Sequence, residues 1–175
     1  MAAMLFADIS GFGTLNDEEV VKCLDGIFEP LSQLINNQQA LPCHRASWGD
    51  GIFLVYERVN EAAEIALRLQ EAFRELPLAD VGLPETLALR IGGHYAPASF
   101  RQDPVTGRPS VYGSQVSYAA RIEPETLPGS VFVSEHFAAA IRLYRGHDFV
   151  AYNTEQETTS EKAPGIRLFN LVRKS

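Results

Sequence analysis

The sequence predicts an α+β fold, on three observations. Met4-Leu5-Phe6-Ala7-Asp8-Ile9 is an apolar run that breaks at Ser10-Gly11, the pattern of a buried strand entering a turn. Gly49-Asp50-Gly51 sits between two strand-like runs, 41–48 and 52–56, and marks a hairpin tip. The longer stretches on either side of that hairpin repeat their apolar residues at helical spacing instead.

Each element follows in order. Asn16-Asp17-Glu18-Glu19 starts a helix, with Asn16 as its cap and Glu19 reaching back. Val20, Val21, Leu24, Ile27, Phe28, Leu31, Leu34 and Ile35 form the apolar stripe, and Pro30 inside it predicts a kink or a break. After the hairpin, Asn60 opens a second helix through Leu76, and Pro77 stops it. Residues 86–95 read as a strand, in which Leu87, Leu89 and Ile91 alternate with Ala88 and Arg90. The order is βαββαβ, the ferredoxin-like core, closing as an antiparallel sheet with two helices on one face. A C-terminal αβαββ extension follows. It comprises a polar loop at 101–109, a helix at 114–123 and a short strand at 131–133. A helix capped by Ser134 and running to about Tyr144 comes next, then strands at 149–152 and 166–172. The polar stretch 153–165 between those strands reads as a mobile loop, and the whole chain, 1–175, as one domain.

Asp8 is the single carboxylate in an oily strand, and an unpaired buried carboxylate is costly. It is therefore paired, used as a turn cap, or bound to a cation. Gly11 lets the backbone approach an anion closely just before a helix start, which suits a metal–phosphate site. In the βαββαβ topology the ends of the first strand and of the hairpin are neighbours, so Asp8 and Asp50 converge. Two such carboxylates suit a divalent cation better than they suit each other.

Composition narrows the function classes. With 46% hydrophobic and 21% charged residues, the chain is that of a globular protein. No apolar run approaches the roughly 20 residues that span a bilayer, and the N-terminus lacks the pattern of a secretory signal. Cys23 and Cys43 have no metal-ligand spacing and read as reduced thiols, so a cytoplasmic protein is expected. A net charge of −7 without a Lys/Arg cluster argues against nucleic-acid binding, though not against one nucleotide held through metal ions. His44, His94, His136 and His147 also lack ligand spacing and read as structural or surface residues; Trp48 reads as core, and Phe12 as packing its turn.

Four stretches together resemble the catalytic domain of class III nucleotidyl cyclases, the adenylate and guanylate cyclase family. They are Leu5-Phe6-Ala7-Asp8-Ile9-Ser10-Gly11-Phe12, Gly49-Asp50-Gly51, Leu89-Arg90-Ile91-Gly92-Gly93-His94, and Tyr112-Gly113-Ser114-Gln115-Val116-Ser117-Tyr118-Ala119-Ala120-Arg121-Ile122-Glu123. The resemblance implies two Mg²⁺ or Mn²⁺ ions held by Asp8, Asp50 and the Ile9 carbonyl. It also implies a triphosphate cradled by backbone N–H groups of Ser10, Gly11 and Phe12. Arg121 matches the family's transition-state arginine, reaching the α-phosphate from the other subunit of a head-to-tail homodimer with shared sites. Lys162 lies roughly where the family places a lysine on the phosphates, in a loop where a solvated surface lysine fits equally well.

The chain departs from the family pattern at three positions. The purine-selecting Lys or Glu is Ala46, its partner position is Ser110, and the Asn that orients the ribose is Ser117. Ala46 has no group with which to hydrogen-bond a base. Either the site is catalytically silent or its pocket is rebuilt for another base, and the retained Asp8, Asp50 and Arg121 favour the second. The stretch from Arg121 to Glu135 also resembles the pyrimidine cyclases of bacterial Pycsar antiphage systems, in which cyclic UMP or cyclic CMP activates a separate effector. Ser110, with Arg45 nearby, suits the edge of uracil, and its hydroxyl can also rotate to serve cytosine. UTP is the expected substrate before CTP.

Overall fold

Strand β1 (Ala2–Ser10) is nine residues of nearly continuous burial, which only a central strand covered on both faces can sustain. The computed structural model describes residues 1–144, 146–161 and 164–174. β1 pairs antiparallel with β3 (Gly51–Tyr56) on one side and with β4 (Ala88–Ala96) on the other. The full sheet adds β2 (His44–Trp48), β7 (Val131–Ser134), β8 (Phe149–Glu157) and β9 (Arg167–Arg173), in the order β2-β3-β1-β4-β7-β9-β8. The α+β core is thus as the sequence predicts, its four strands β2, β3, β1 and β4 pairing antiparallel throughout. β7, from the C-terminal extension, runs parallel to β4, so the full sheet is mixed. The segment between them must cross over a sheet face, because a parallel neighbour cannot be reached by a tight turn.

The first helical stretch is interrupted as its proline requires. α1 (Asp17–Cys23) opens with the Asn16–Glu19 capping box. Leu24–Phe28 then winds as a π-turn before α2 (Glu29–Asn36), whose second residue is Pro30. Without an N–H, Pro30 cannot close the ordinary bond to Gly26, and the Glu29 N–H reaches back five residues to the Leu24 carbonyl. These helices, α3 (Val59–Arg74) and α5 (Glu135–Ile141) bury their apolar stripes against one sheet face, among Leu5, Ala7, Ile9, Leu54 and Ile91.

The other face carries Met4, Phe6, Phe53 and Val55, covered by α4 (Ser114–Ile122) and the β5–β6 hairpin (Ser99–Gln102 and Pro109–Tyr112). That hairpin corrects the loop expected at 101–109: its flanks pair, and only the tip is a turn, tied by Asp103 accepting from the Val105 and Thr106 N–H groups. Three other expectations shift. α5 ends at Ile141 rather than near Tyr144. β8 continues to Glu157, into the stretch expected to be a loop, through an irregularity between Asn153 and Glu157. Trp48, expected in the core, is 53% exposed because β2 is an edge strand, and its ring meets only the rim of the cluster at Phe6.

Candidate active site

Asp8 is the third residue from the end of β1 and points to the same sheet face as Met4 and Phe6, since strand side chains alternate. The β1–β3 register, ending at Ala7 opposite Ile52, brings the Gly49–Asp50 turn beside it. The two carboxyls meet within hydrogen-bonding reach. Burial first, then the shared hydrogen bond and the charge of Asp8, push the Asp50 carboxyl above its usual range. Ser10 ends the strand, and Gly11, at φ 92°, turns the backbone into the short 3₁₀ segment Phe12–Thr14. A left-handed residue there needs glycine. Phe12 packs against the core, as expected. Ile9 buries its side chain among the helices while its main chain stays in the β1–β4 ladder.

Two further charged residues, not selected from the sequence, complete the cluster. Arg90 stands directly across the β1–β4 ladder from Asp8 and contacts it at 2.7 Å, Nη2 to Oδ2. Its Nε lies 3.0 Å from Oε1 of Glu123, just beyond the end of α4. Glu123 reaches this position because Gly92 has no side chain: a Cβ there would stand 2.4 Å from the Glu123 nitrogen. Burial pushes the Glu123 carboxyl up to about 7, helped by the negative charges of Asp8 and Asp50 and opposed by Arg90. The available signal was register. Arg90 is the charged member of an alternating strand, but only the pairing shows that it faces Asp8.

Three carboxyls around one guanidinium carry surplus negative charge, relieved by proton uptake or by a cation. The donor set is all hard oxygen, which fits Mg²⁺ or Mn²⁺ at Asp8, Asp50 and a backbone carbonyl. Among the described residues no set of three or more His, Cys, Asp or Glu side chains is arranged to hold a metal, so further ligands would come from main chain, water or phosphate. The surplus has a measurable consequence. With divalent cations chelated, folded Glu123 keeps a proton that the unfolded chain has released. Its stabilising contribution is therefore present below the ordinary value of 4.5 and is lost as pH rises through about 7. The expected loss is on the order of 3 kcal/mol between pH 4 and 8. Glu123→Gln should remove most of that slope in urea unfolding; an unchanged slope would mean Glu123 is not its source.

The remaining candidates lie elsewhere on the same face. Ala46 points to the α4 side of β2, opposite Phe53, and the neighbouring His44 touches the backbone of Pro109, next to Ser110 on β6. Arg45 does not join them. Strand alternation turns it to the opposite face, where it donates to Asn36 Oδ1 on α2, which corrects its expected place beside Ser110. Ser117 and Arg121 lie one helical turn apart on α4, and Arg121 Nη1 donates to the Ser117 carbonyl at 2.5 Å. No hydrogen bond or ion pair among the described residues joins Arg121 to Asp8 or Asp50 within the chain. Lys162 lies outside the described residues. No helix among the described residues is long and apolar enough to cross a membrane.

Residues 1–162 match the family described as "Adenylate and Guanylate cyclase catalytic domain". No curated protein matches the chain. Among solved structures, the fold is similar to the guanylyl cyclase Cya2, with 22% identity, coverage of 99% of this chain and 92% of that one, and a TM-score of 0.79. It is also similar to the guanylate cyclase domain of RhGC from Catenaria anguillulae in complex with GTP, with 16% identity, 99% and 97% coverage and a TM-score of 0.77. The adenylyl cyclase CyaB from P. aeruginosa follows, with 16% identity, 99% and 94% coverage and a TM-score of 0.75.

Proposed function

Because the chain belongs to the adenylate and guanylate cyclase catalytic-domain family, and is thus a nucleotidyl cyclase domain converting a nucleoside triphosphate to a cyclic nucleotide, we propose that its substrate is a pyrimidine triphosphate, UTP before CTP. The observation that carries the choice of base is Ala46. It faces the α4 side of the sheet, on the strand whose His44 reaches the Pro109 backbone beside Ser110, yet brings no hydrogen-bonding group to the position where relatives read a purine. Ser110 offers a hydroxyl that both donates and accepts. Arg45 is not part of this reading, because it is engaged with Asn36.

The chemistry is an intramolecular displacement. The ribose 3′-oxygen forms a bond to the α-phosphorus, the bond from that phosphorus to the β-phosphate oxygen breaks, and the 3′-hydroxyl proton leaves to solvent as pyrophosphate departs. Cyclases of this family generally use two divalent ions; here Asp8, Asp50 and the Ile9 carbonyl would hold them. When bound, such ions supply a lowered 3′-hydroxyl pKa and neutralise phosphate charge. The N–H groups at Ser10, Gly11 and Phe12 orient the triphosphate. Arg121 of a second copy donates to the α-phosphate oxygens, with the bidentate geometry a lysine lacks, while Ser117 offers the ribose a hydroxyl. Cyclase domains of this kind typically dimerise, and a head-to-tail homodimer unites the two half-sites. The product then serves as a second messenger for a separate effector in antiphage defence, a role supported by the Pycsar-like stretch ending at Glu135.

The test is turnover with Mn²⁺ and each of ATP, GTP, UTP and CTP, with products identified by mass spectrometry. Cyclic UMP or cyclic CMP is the expected main product. A cyclic purine would overturn the choice of base, and no product from any of the four, with the protein folded and dimeric, would overturn the enzymatic reading.

A further inference from the structure

His94 is 2% exposed, on the same face of β4 as Gly92, and neither the metal site nor the base pocket uses it. Its ring is held at both nitrogens: Nδ1 is 2.8 Å from Ser134 Oγ and Nε2 is 2.8 Å from Gln115 Oε1. With the Gln115 oxygen toward the ring, Nε2–H donates to it, and Nδ1 accepts from the Ser134 hydroxyl. That hydroxyl in turn accepts the Phe137 N–H at 3.3 Å as the cap of α5. Burial holds the imidazole pKa below the ordinary histidine value, so the ring is neutral at pH 7.

The far end of this chain of hydrogen bonds is the first turn of α4. That helix begins at Gly113 without a side-chain cap. At its other end the Ile122–Glu123 backbone rests directly on Gly92. Gln115 and Ile122 are two helical turns apart and, with buried Ala119, define one face. Ser117 and Arg121 share the opposite face. α4 is therefore pinned to β4 at two points, Gly92 and His94, and the roll of the helix between them decides where Arg121 points.

We propose that His94 is a positioning residue: through Gln115 it fixes the roll of α4, and so the face of the helix that presents Ser117 and Arg121. The inference rests on the cyclase reading for its effect on rate, but not for its effect on the helix.

The test compares Gln115→Met, which keeps the length and helix propensity of the side chain but loses the acceptor, with Gln115→Glu, which keeps an acceptor. Gln115→Met should lower kcat about tenfold and leave KM for the triphosphate within about twofold, because the metal ligands and the Ser10–Phe12 N–H groups lie off α4 and Arg121 serves the transition state. Gln115→Glu should retain most of the rate. In an Arg121→Ala background, Gln115→Met should cause much less than a tenfold further loss, since only Ser117 is left for it to position. An unchanged kcat in Gln115→Met, or a full tenfold loss that persists without Arg121, would overturn the proposal. Amide hydrogen exchange across 114–119 gives a readout independent of turnover: faster exchange is expected in Gln115→Met and not in Gln115→Glu. If the wild-type protein turns over none of the four triphosphates, the functional reading fails, and the exchange data alone decide the anchor. Equal protection in all three proteins would then overturn it.

Discussion

Asp50→Ala should abolish cyclic-nucleotide formation, by about 10³-fold or more, and so should Arg121→Ala; mixing the two inactive chains should restore it. Asp50 stands beside Asp8 at the end of the central strands, and its loss removes one of the two carboxylates that can hold a divalent cation. Arg121 sits on α4 with no ion pair to either carboxylate among the described residues, so it is free to serve a site built with a neighbouring copy. Loss of a phosphate-binding arginine of this kind is worth about 10³-fold in related phosphoryl chemistry. In a head-to-tail dimer of the two variants, one site carries both defects and the other carries none. Random pairing makes half of the dimers mixed, so about one quarter of the wild-type rate should return. A mixture that stays silent while mixed dimers form would contradict the shared site. Full activity in Asp50→Ala alone would remove the metal assignment.

The second large effect is structural. Gly92→Ala places a Cβ 2.4 Å from the nitrogen and 2.7 Å from the Cα of Glu123, and 2.9 Å from the carbonyl carbon of Ile122. All three are backbone atoms, so nothing can swing aside; the end of α4 must lift off the sheet. The expected cost is about 3 kcal/mol, read as a lower urea midpoint at unchanged slope. Turnover should fall as well, because the lifted turn takes Glu123 away from Arg90 and leaves Arg90 to Asp8 alone. Gly93→Ala is the informative contrast. Its Cβ would meet side-chain atoms, Val133 Cγ1 at 2.9 Å and Leu5 Cδ2 at 3.2 Å, which can shift, so a smaller loss is expected. Equal costs at the two glycines, or a Gly92→Ala variant within about 0.5 kcal/mol of wild type, would contradict the close approach of α4.

Local patterns carried much of this protein in plain view. The apolar run of β1, the Asn16–Glu19 capping box, the break at Pro30 and the Gly-Asp-Gly turn are each set by a few neighbouring residues, and each formed where its residues require. Antiparallel pairing of β1 with β3 then brings Asp8 and Asp50 together, as the strand order implies. Expectations moved where composition stood in for pairing. The 101–109 stretch is polar because it is an exposed hairpin, not because it lacks strands, and polar residues at the end of β8 still complete a ladder.

What only the tertiary structure decided are the relations that depend on register and on which face a strand turns. Arg45 and Ala46 are adjacent in the chain, yet strand alternation sends one to Asn36 and leaves the other on the α4 side. Arg90 and Glu123 carry no local sign of belonging with Asp8; a cross-strand register and a missing Cβ at Gly92 bring them there. His94 offers no ligand spacing, and its role as an anchor exists only because Ser134 and Gln115 arrive from β7 and α4. The sequence by itself thus determined most of the elements and the two acidic residues, because those are written in short-range periodicity and turn chemistry. The charge cluster around them, and the attachment of the arginine-bearing helix, were decided by contacts between residues 21 to 82 positions apart, which no local pattern encodes.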